Sequence, residues 1–289
     1  MEKQKICLKR KGREPVLALQ TRRDVPYLSF PALEKTGLVL HGFSTRLGGV
    51  SQGDCATMNF ARNRGDAPEN IRENYRRMAA ALDFDPEQMV LSQQTHSTHI
   101  RQVTQADAGK GYSRELDYRD TDGLMTDVPG LVLVTSYADC VPLLFVDPVR
   151  CAVAASHSGW RGTVARMGRH TVEAMKAAFG CDPGNLLVGI GPSICQDCYE
   201  VGEEVAQAFR EELALPYSSA VLRPAPEASD RCFLNLQEAN RQILVQAGVR
   251  PEHIFVSDVC TCCNKDVLFS HRGSRGRRGN MGAFLGLRA

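Results

Sequence analysis

Short, unbroken apolar runs alternate along this chain with longer stretches of helical period. "GLVLHGFSTR" (37–46) is an apolar run entering a Gly-Gly turn at "LGGVSQGD". In "APENIRENYRRMAAALDF", Ile71, Tyr75, Met78 and Leu82 recur every three or four residues, which predicts an amphipathic helix with Asp66 and Pro68 near its start. "MVLSQQTHSTHI" predicts a strand leaving toward His96, and "GLVLVTSYADCVPLLFVDP" predicts two adjacent buried strands broken around Asp139–Pro142. "CAVAASH" predicts another strand, followed by one helix through Val164, Met167, Val172, Met175 and Phe179. "NLLVGIGPSI" repeats the pattern of strand then glycine turn. "YEVGEEVAQAFREEL" and "NLQEANRQILVQAG" predict helices, the second ending at Gly248, a fitting residue just past a helix end. "HIFVSDV" predicts the last strand, before "CTCCN" and a Gly/Arg-rich tail. Alternating strands and helices predict an α/β fold, and the adjacent strand runs argue for mixed β-sheets flanked by helices rather than a purely parallel sheet. No repeat or linker marks an internal boundary. A single domain is expected over residues 37–289, with residues 1–36 as an extension packed on or preceding it.

Composition narrows the function classes. At 289 residues the chain can bury a full core, and its formal charge of +2 implies no special affinity for nucleic acid or membrane. The start, "MEKQKICLKRKGREP", is locally basic; a solvated, fraying end explains it better than a nucleic-acid patch. No apolar run follows it to form a signal peptide, and no stretch is long enough to span a bilayer, so a cytoplasmic location is expected. Eleven cysteines without a secretion signal read as thiols, metal ligands or nucleophiles rather than a disulfide framework.

Three predicted strand ends carry metal-type ligands: His96 in "QQTHS", Cys140 in "ADCVP" and His157 in "SHSGW". They lie 44 and 17 residues apart, too far for a zinc knuckle. Catalytic zinc, however, is commonly held by three ligands from separated elements, with one position left open. One cysteine and two histidines suit zinc and tolerate copper. The plainer reading is a buried cysteine and two hydrogen-bonded histidines. A rival set is Cys195 and Cys198 of "CQDC" with Cys260, Cys262 and Cys263 of "CTCC", as a four-thiolate structural zinc site. There the first pair has knuckle spacing and the second group reads as lacking it, so reduced thiols are the default.

Other polar residues are ambiguous on sequence alone. Trp160 reads as packing the turn after His157, and Arg161 as either an ion-pair partner or an anion clamp. Arg46 precedes Gly48–Gly49, where backbone N–H groups can approach an anion and a guanidinium can grip a phosphate; an ordinary surface arginine fits as well. Asp66 suits a helix start. Asp122 and Asp139 read either as carboxylates that orient a ligand or as turn residues.

"HGFSTRLGGVS", "QQTHS", "TDGLMT", "ADCVPLLFVDP", "SHSGWRG", "GPSICQDCYEV", "FLNLQEANRQIL", "CTCCN" and "FSHRG" follow one another in an order that resembles the YfiH-like family. Its members have been called laccase-domain proteins or polyphenol oxidases and are described as purine nucleoside phosphorylases. The resemblance runs from about residue 37 to the end, and its specificity lies in the joint order of the pieces. It implies a zinc ion on the histidine of Q-x-H-G, the cysteine of D-C-x-P and the histidine of H-x-G-W-R-G, which fall on His96, Cys140 and His157. Ser97 stands where the family usually has glycine. The resemblance moves Arg46 toward phosphate, places Asn59 and Asp66 near the site, and makes His271 and Arg272 weaker candidates of the same kind. The implied reaction is phosphorolysis of adenosine, inosine or methylthioadenosine, with adenosine deamination beside it. Cys140, His157 and Arg46 would be catalytic, and Arg46, Asn59, Arg161 and Arg272 would contact substrate. The partners expected are a nucleoside and phosphate, with neither nucleic acid nor membrane, and the state expected is a monomer or weak homodimer.

Three other functions stay open. One is copper-dependent phenol oxidation, although none of the seven histidines stands two residues from another, as multicopper clusters require. The second is a cysteine hydrolase with Cys140 as nucleophile and His157 as base. The third is a zinc-stabilised protein that binds or edits cell-wall precursors.

Overall fold

The computed structural model describes residues 6–12, 14–213, 218–226 and 228–289, so the basic start lies partly outside the described residues. The early strands are β1 (Ala18–Arg22), β2 (Val25–Ser29), β3 (Val39–Ser44), β4 (Met89–Leu91), β5 (Ile100–Gln102), β6 (Gly123–Thr126), β7 (Val132–Tyr137), β8 (Val141–Asp147) and β9 (Ala152–Ser158). The later ones are β10 (Leu187–Ile190), β11 (Glu200–Gly202), β12 (Leu222–Ala225), β13 (Ala228–Leu234), β14 (Ile254–Val256) and β15 (Met281–Leu287). The helices are α1 (Pro31–Glu34), α2 (Pro68–Leu82), α3 (Trp160–Val164), α4 (Met167–Phe179), α5 (Glu203–Leu213), α6 (Ser218–Val221) and α7 (Leu236–Gln246).

The strands build two six-stranded sheets, β1-β2-β3-β15-β7-β4 and β14-β10-β8-β9-β6-β5, and a small antiparallel sheet β11-β13-β12. Both large sheets are mixed. β4 runs parallel to β7 in the first, and β5 to β6 and β10 to β14 in the second. Leu133 and Leu285 of the first sheet share one apolar cluster with Leu144, Val146 and Val153 of the second, so the two sheets pack face to face. The alternate side chains face the other way. Val132, Val134 and Phe284 pack on Tyr75 and Met78 of α2, while Phe145 and Ala154 pack on Val172 and Met175 of α4 and Ile243 of α7. The layers therefore run helix, sheet, sheet, helix within one α/β domain. Central strands covered on both faces read as unbroken apolar runs, which is the pattern seen in the sequence.

The predicted helix over 68–82 forms, with Pro68 in its first turn and Asp83 at φ +64 ending it. Residues 164–179 do not form one helix: α3 and α4 are separated at Ala165–Arg166, with Arg166 at φ +58. β7 and β8 are neighbours in sequence but lie in different sheets, so the chain changes layer at Ala138–Cys140. β14 is not the last strand. β15, in the Gly/Arg-rich tail, is buried throughout and pairs with β3 and β7 at the middle of the first sheet. Two glycines dilute its apolar signal, yet one is required by packing: a Cβ on Gly286 would stand 2.6 Å from the Leu131 carbonyl oxygen. Residues before 37 join the same sheet through the pairing of β2 with β3. Among the described residues no helix is long and apolar enough to cross a membrane.

Candidate metal centre and its cavity

Cys140 occupies the layer change between β7 and β8, and His157 is the next-to-last residue of β9, opposite Pro142 of β8. His96 is not at a strand end, because β4 stops at Leu91. The segment after β4 is instead tied to both sheets. The Gln94 amide exchanges two hydrogen bonds with the Ser136 backbone of β7, at 2.7 and 2.8 Å, in the manner of a strand partner. The Gln93 carbonyl accepts from Thr121 N–H at 2.8 Å, just before β6 of the other sheet. The following turn holds His96 at φ +67, a conformation that costs a non-glycine residue roughly 1–2 kcal/mol. Asp122 offsets this. Its fully buried carboxylate accepts the backbone N–H groups of Thr95, His96 and Ser97 at 2.8, 3.1 and 3.0 Å, and the Nδ1–H of His157 at 2.8 Å. One carboxylate thus holds both histidine-bearing segments.

The ligand atoms of His96, Cys140 and His157 lie within 4.8 Å of one another, and the two imidazole centroids are 4.9 Å apart. Donors around one tetrahedral zinc stand about 3.3–3.8 Å apart, so small shifts suffice to close on an ion. With Nδ1 bonded to Asp122, His157 has Nε2 free for a ligand. Gly159 leaves the necessary room: a Cβ there would come within 2.9 Å of His96 Nδ1 and 3.1 Å of Cys140 Sγ. His157 is buried, Cys140 half-buried and His96 exposed, so the cluster is anchored on one side and accessible on the other. A thiolate with two imidazoles and an accessible side fits a zinc site of the catalytic kind.

Electrostatics agree with that division. Burial and the neighbouring His157 push the His96 imidazole down. Burial pushes His157 down as well, but Cys140 and Asp122 outweigh it and lift His157 to about 9. Burial works upward on Asp122, yet His157 and the Thr95 and Ser97 amides leave it below the usual carboxylate range. A cation entering the centre competes with the His157 proton. Asp139, at φ +85, fastens the turn before Cys140. Its carboxylate accepts from the Thr261 hydroxyl at 2.6 Å and from Arg272 N–H at 2.7 Å.

The centre opens on a cavity of about 420 Å³, whose lining includes Arg62, Arg64, Gln93, Thr135, Tyr137 and Arg278. That size suits a small organic ligand. Gln93 Oε1, Thr135 Oγ1, Tyr137 Oη and Arg278 Nε are buried without a hydrogen-bond partner among the described residues. Each such atom costs about 1–3 kcal/mol unless a ligand or water pairs with it. Burial and the Arg64 charge both push the Arg278 guanidinium down, and neither arginine has an ion-pair partner among the described residues.

Several predicted residues stand elsewhere. Arg46 does not line the cavity: it donates to the Ala56 and Lys265 carbonyls, each at 2.9 Å, and lies 4.7 Å from the Phe269 ring centroid. The amides beside it, of Leu47, Gly49 and Val50, donate to Thr45, Thr57 and Asn74. These amides, expected to face an anion, are bonded within the chain. Asn59 is buried and binds Ala61, Asp66 and the Asn280 amide, shaping the loop that carries Arg62 and Arg64. Asp66 also accepts from the Ala67 amide and from Asn70 at the start of α2. The Arg161 guanidinium lies 4.1 Å from the Trp160 ring centroid, and Trp160 packs on the core beneath. Arg272 crosses the Tyr199 ring and donates to the Glu200 carbonyl at 2.9 Å. His271 meets Arg278 at 3.4 Å. The cavity arginines went unmarked in the sequence; the glycine-flanked arginines of "ARNRG" and "RGSRGRRGN" are their only local signal.

Two stacked mixed sheets with a His–Cys–His cluster at their junction, open to a cavity lined by Arg62, Arg64 and Arg278, define the class of protein. The chain belongs to the YfiH-like family. Residues 40–288 match the family described as "Multi-copper polyphenol oxidoreductase laccase". The chain is 37% identical over 252 residues to a Bacillus subtilis (strain 168) protein named purine nucleoside phosphorylase YlmD, covering 86% of this chain and 89% of that one. It is 33% identical over 235 residues to a protein named adenosine deaminase RL5, from an unknown prokaryotic organism, covering 81% of this chain and 88% of that one. The crystal structure of the Bacillus licheniformis hypothetical protein YfiH superposes with a TM-score of 0.87 at 33% identity, over 93% of this chain and 99% of that one.

Proposed function

We propose that the protein is a zinc-dependent purine nucleoside phosphorylase that also deaminates adenosine. The observation that carries this reading is the set of buried polar atoms on Gln93, Thr135, Tyr137 and Arg278 that have no partner among the described residues and line the same cavity as the metal-type donors. The ring nitrogens and ribose hydroxyls of a nucleoside would pair with such atoms, and phosphate would pair with Arg64 and Arg278. The names of the relatives, a phosphorylase and a deaminase, support the same reading.

His96, Cys140 and His157 would hold the zinc, which when bound supplies a Lewis acid with an open coordination position. Asp122 retains the Nδ1 proton of His157 and fixes which nitrogen is offered as ligand. Arg64 and Arg278 hold phosphate beside the ribose, turning a chance encounter into a positioned pair. A phosphate oxygen forms its bond to the anomeric carbon as the glycosidic C–N bond breaks. The base leaves with that electron pair and takes up a proton, and ribose 1-phosphate remains. Deamination uses water instead, which adds at the purine carbon bearing the amino group as ammonia departs.

Mass-resolved products from adenosine test this. Adenine and ribose 1-phosphate should form only with phosphate present, and inosine with or without it. Free ribose in their place would mean hydrolysis and remove phosphate from the mechanism. A second reading has its own observation: His157 is hydrogen-bonded to Asp122 at 2.8 Å and its ring lies within 4.8 Å of the Cys140 sulfur, the line of a cysteine-hydrolase triad. His96 completing the donor set favours the metal. Turnover that survives chelation but not alkylation of Cys140 would favour the nucleophile.

A further inference from the structure

Two loops leave the same end of the second sheet. β10 and β14 are parallel neighbours, with Val188 opposite Ile254 and Ile190 opposite Val256, and an isolated parallel bridge between Ser193 and Cys260 carries the pairing past both strand ends. Cys195 and Cys198 ride on the first loop, Cys260 and Cys263 on the second, three residues apart in each. The second pair thus has the knuckle spacing that the crowded "CTCC" obscured. The four sulfurs lie within 4.8 Å of one another, two of them buried and two half-buried. Cys262 is not among them; its sulfur lies 3.4 Å from where a Cβ on Gly273 would stand.

Three features suit a shared ion better than separate thiols. A zinc–sulfur bond of about 2.3 Å puts tetrahedral sulfurs about 3.8 Å apart, and here one pair, Cys198 and Cys263, stands at 3.5 Å with none beyond 4.8 Å. A disulfide would join one pair only, at about 2.05 Å. Cys260 Sγ accepts the backbone N–H groups of Cys195 and Cys263 at 3.3 and 3.4 Å, contacts that suit a thiolate. The Lys11 ammonium bonds to Asp197, which lies between Cys195 and Cys198, setting positive charge beside the excess negative charge of four thiolates around a divalent ion.

The geometry points to a structural zinc ion held by Cys195, Cys198, Cys260 and Cys263, a closed four-sulfur centre separate from the His–Cys–His centre. Its position gives it a task. Ile194 N–H donates to the Asp139 carbonyl at 3.0 Å and the Thr261 hydroxyl to the Asp139 carboxylate at 2.6 Å. Each of those residues adjoins a cluster cysteine, and Asp139 adjoins Cys140. The zinc clamps the two loops that hold the Cys140 turn. It also anchors the amino-terminal strap, where Lys9 exchanges hydrogen bonds with Asn264 at 2.7 and 2.9 Å and Lys11 N–H donates to the Asp258 carbonyl at 2.7 Å.

Counting zinc on the whole chain tests this without reading activity. Protein purified with zinc and reductant should carry about two zinc ions per chain, and Cys140→Ala about one, bound in X-ray absorption by four sulfurs at about 2.3 Å. Adding Cys263→Ser to that variant should remove the remaining zinc. If the double variant does not fold, titration of folded Cys140→Ala with a thiol-specific mercurial takes its place, and zinc should leave as the four thiols are modified. One four-sulfur zinc in both wild type and Cys140→Ala would leave this centre standing while removing zinc from the other. A zinc-free Cys140→Ala protein, a coordination shell containing nitrogen, or a Cys198–Cys263 disulfide in the reduced preparation would overturn the assignment.

Discussion

The two cysteine-bearing clusters differ in what stands where a fourth donor would go. The four-sulfur cluster draws on two short loops that leave adjacent parallel strands, and each loop supplies two donors at knuckle spacing. The His–Cys–His cluster draws on three segments from two sheets, and where a further side chain could crowd it the chain has Gly159. A completed donor set stabilises the loops that supply it, whereas an incomplete one leaves a coordination position for substrate. Their supports differ accordingly. Backbone amides and Lys11 surround the closed cluster, while the open one depends on one fully buried carboxylate, Asp122. The closed cluster can be loosened a bond at a time; the open one has a single point of failure.

Asp122→Asn should therefore have the largest effect. It removes the anion that accepts four N–H groups, and zinc affinity at the open centre should fall about 10–100-fold while the four-sulfur zinc stays. Competition with a chromogenic chelator measures both sites, and equal loss from the two would erase the distinction drawn here. Next comes Arg278→Ala, set against Arg46→Ala. Arg278→Ala should weaken phosphate use by on the order of 1.5 kcal/mol, about tenfold in KM for phosphate, with deamination less affected. Arg46→Ala should lower thermal stability instead, because its guanidinium bonds to the Ala56 and Lys265 carbonyls. A larger phosphate effect at Arg46 than at Arg278 would return the anion site to the glycine turn. The smallest effect is expected from Gly159→Ala. Its methyl would sit 2.9 Å from His96 Nδ1 and 3.1 Å from Cys140 Sγ, and the exposed His96 can yield. Overpacking against a side chain that can yield costs roughly 1 kcal/mol and should show as weaker zinc binding at the open centre alone. Unchanged affinity there would mean that Gly159 is not what keeps the centre open.

The metal-type donors were legible because their chemistry is local: a histidine or cysteine needs no neighbour to be recognised as a ligand. Asp122 was legible only as one of two choices, since "TDGL" suits a turn as readily as a carboxylate that orients a ligand. Arg46 is ambiguous for the same reason. A guanidinium before two glycines looks like an anion site in the sequence, whereas in the fold the Leu47, Gly49 and Val50 amides are hydrogen-bonded to Thr45, Thr57 and Asn74.

By itself the sequence determined the α/β class, the buried runs and α2, because each is written in a period of two to four residues or in an unbroken apolar run. Tertiary structure decided what those periods cannot carry. β7 and β8 go to different sheets, which puts Cys140 at the crossing between layers, and the glycine-diluted β15 becomes a central strand because its small residues fit between β3 and β7. Arg64 meets Arg278, and Cys195 meets Cys260, only because distant segments are brought to one cavity or one end of a sheet. Such pairings are chosen by the whole core at once: burying both faces of two sheets fixes which strands adjoin, and the strands then carry the chemistry to where it acts.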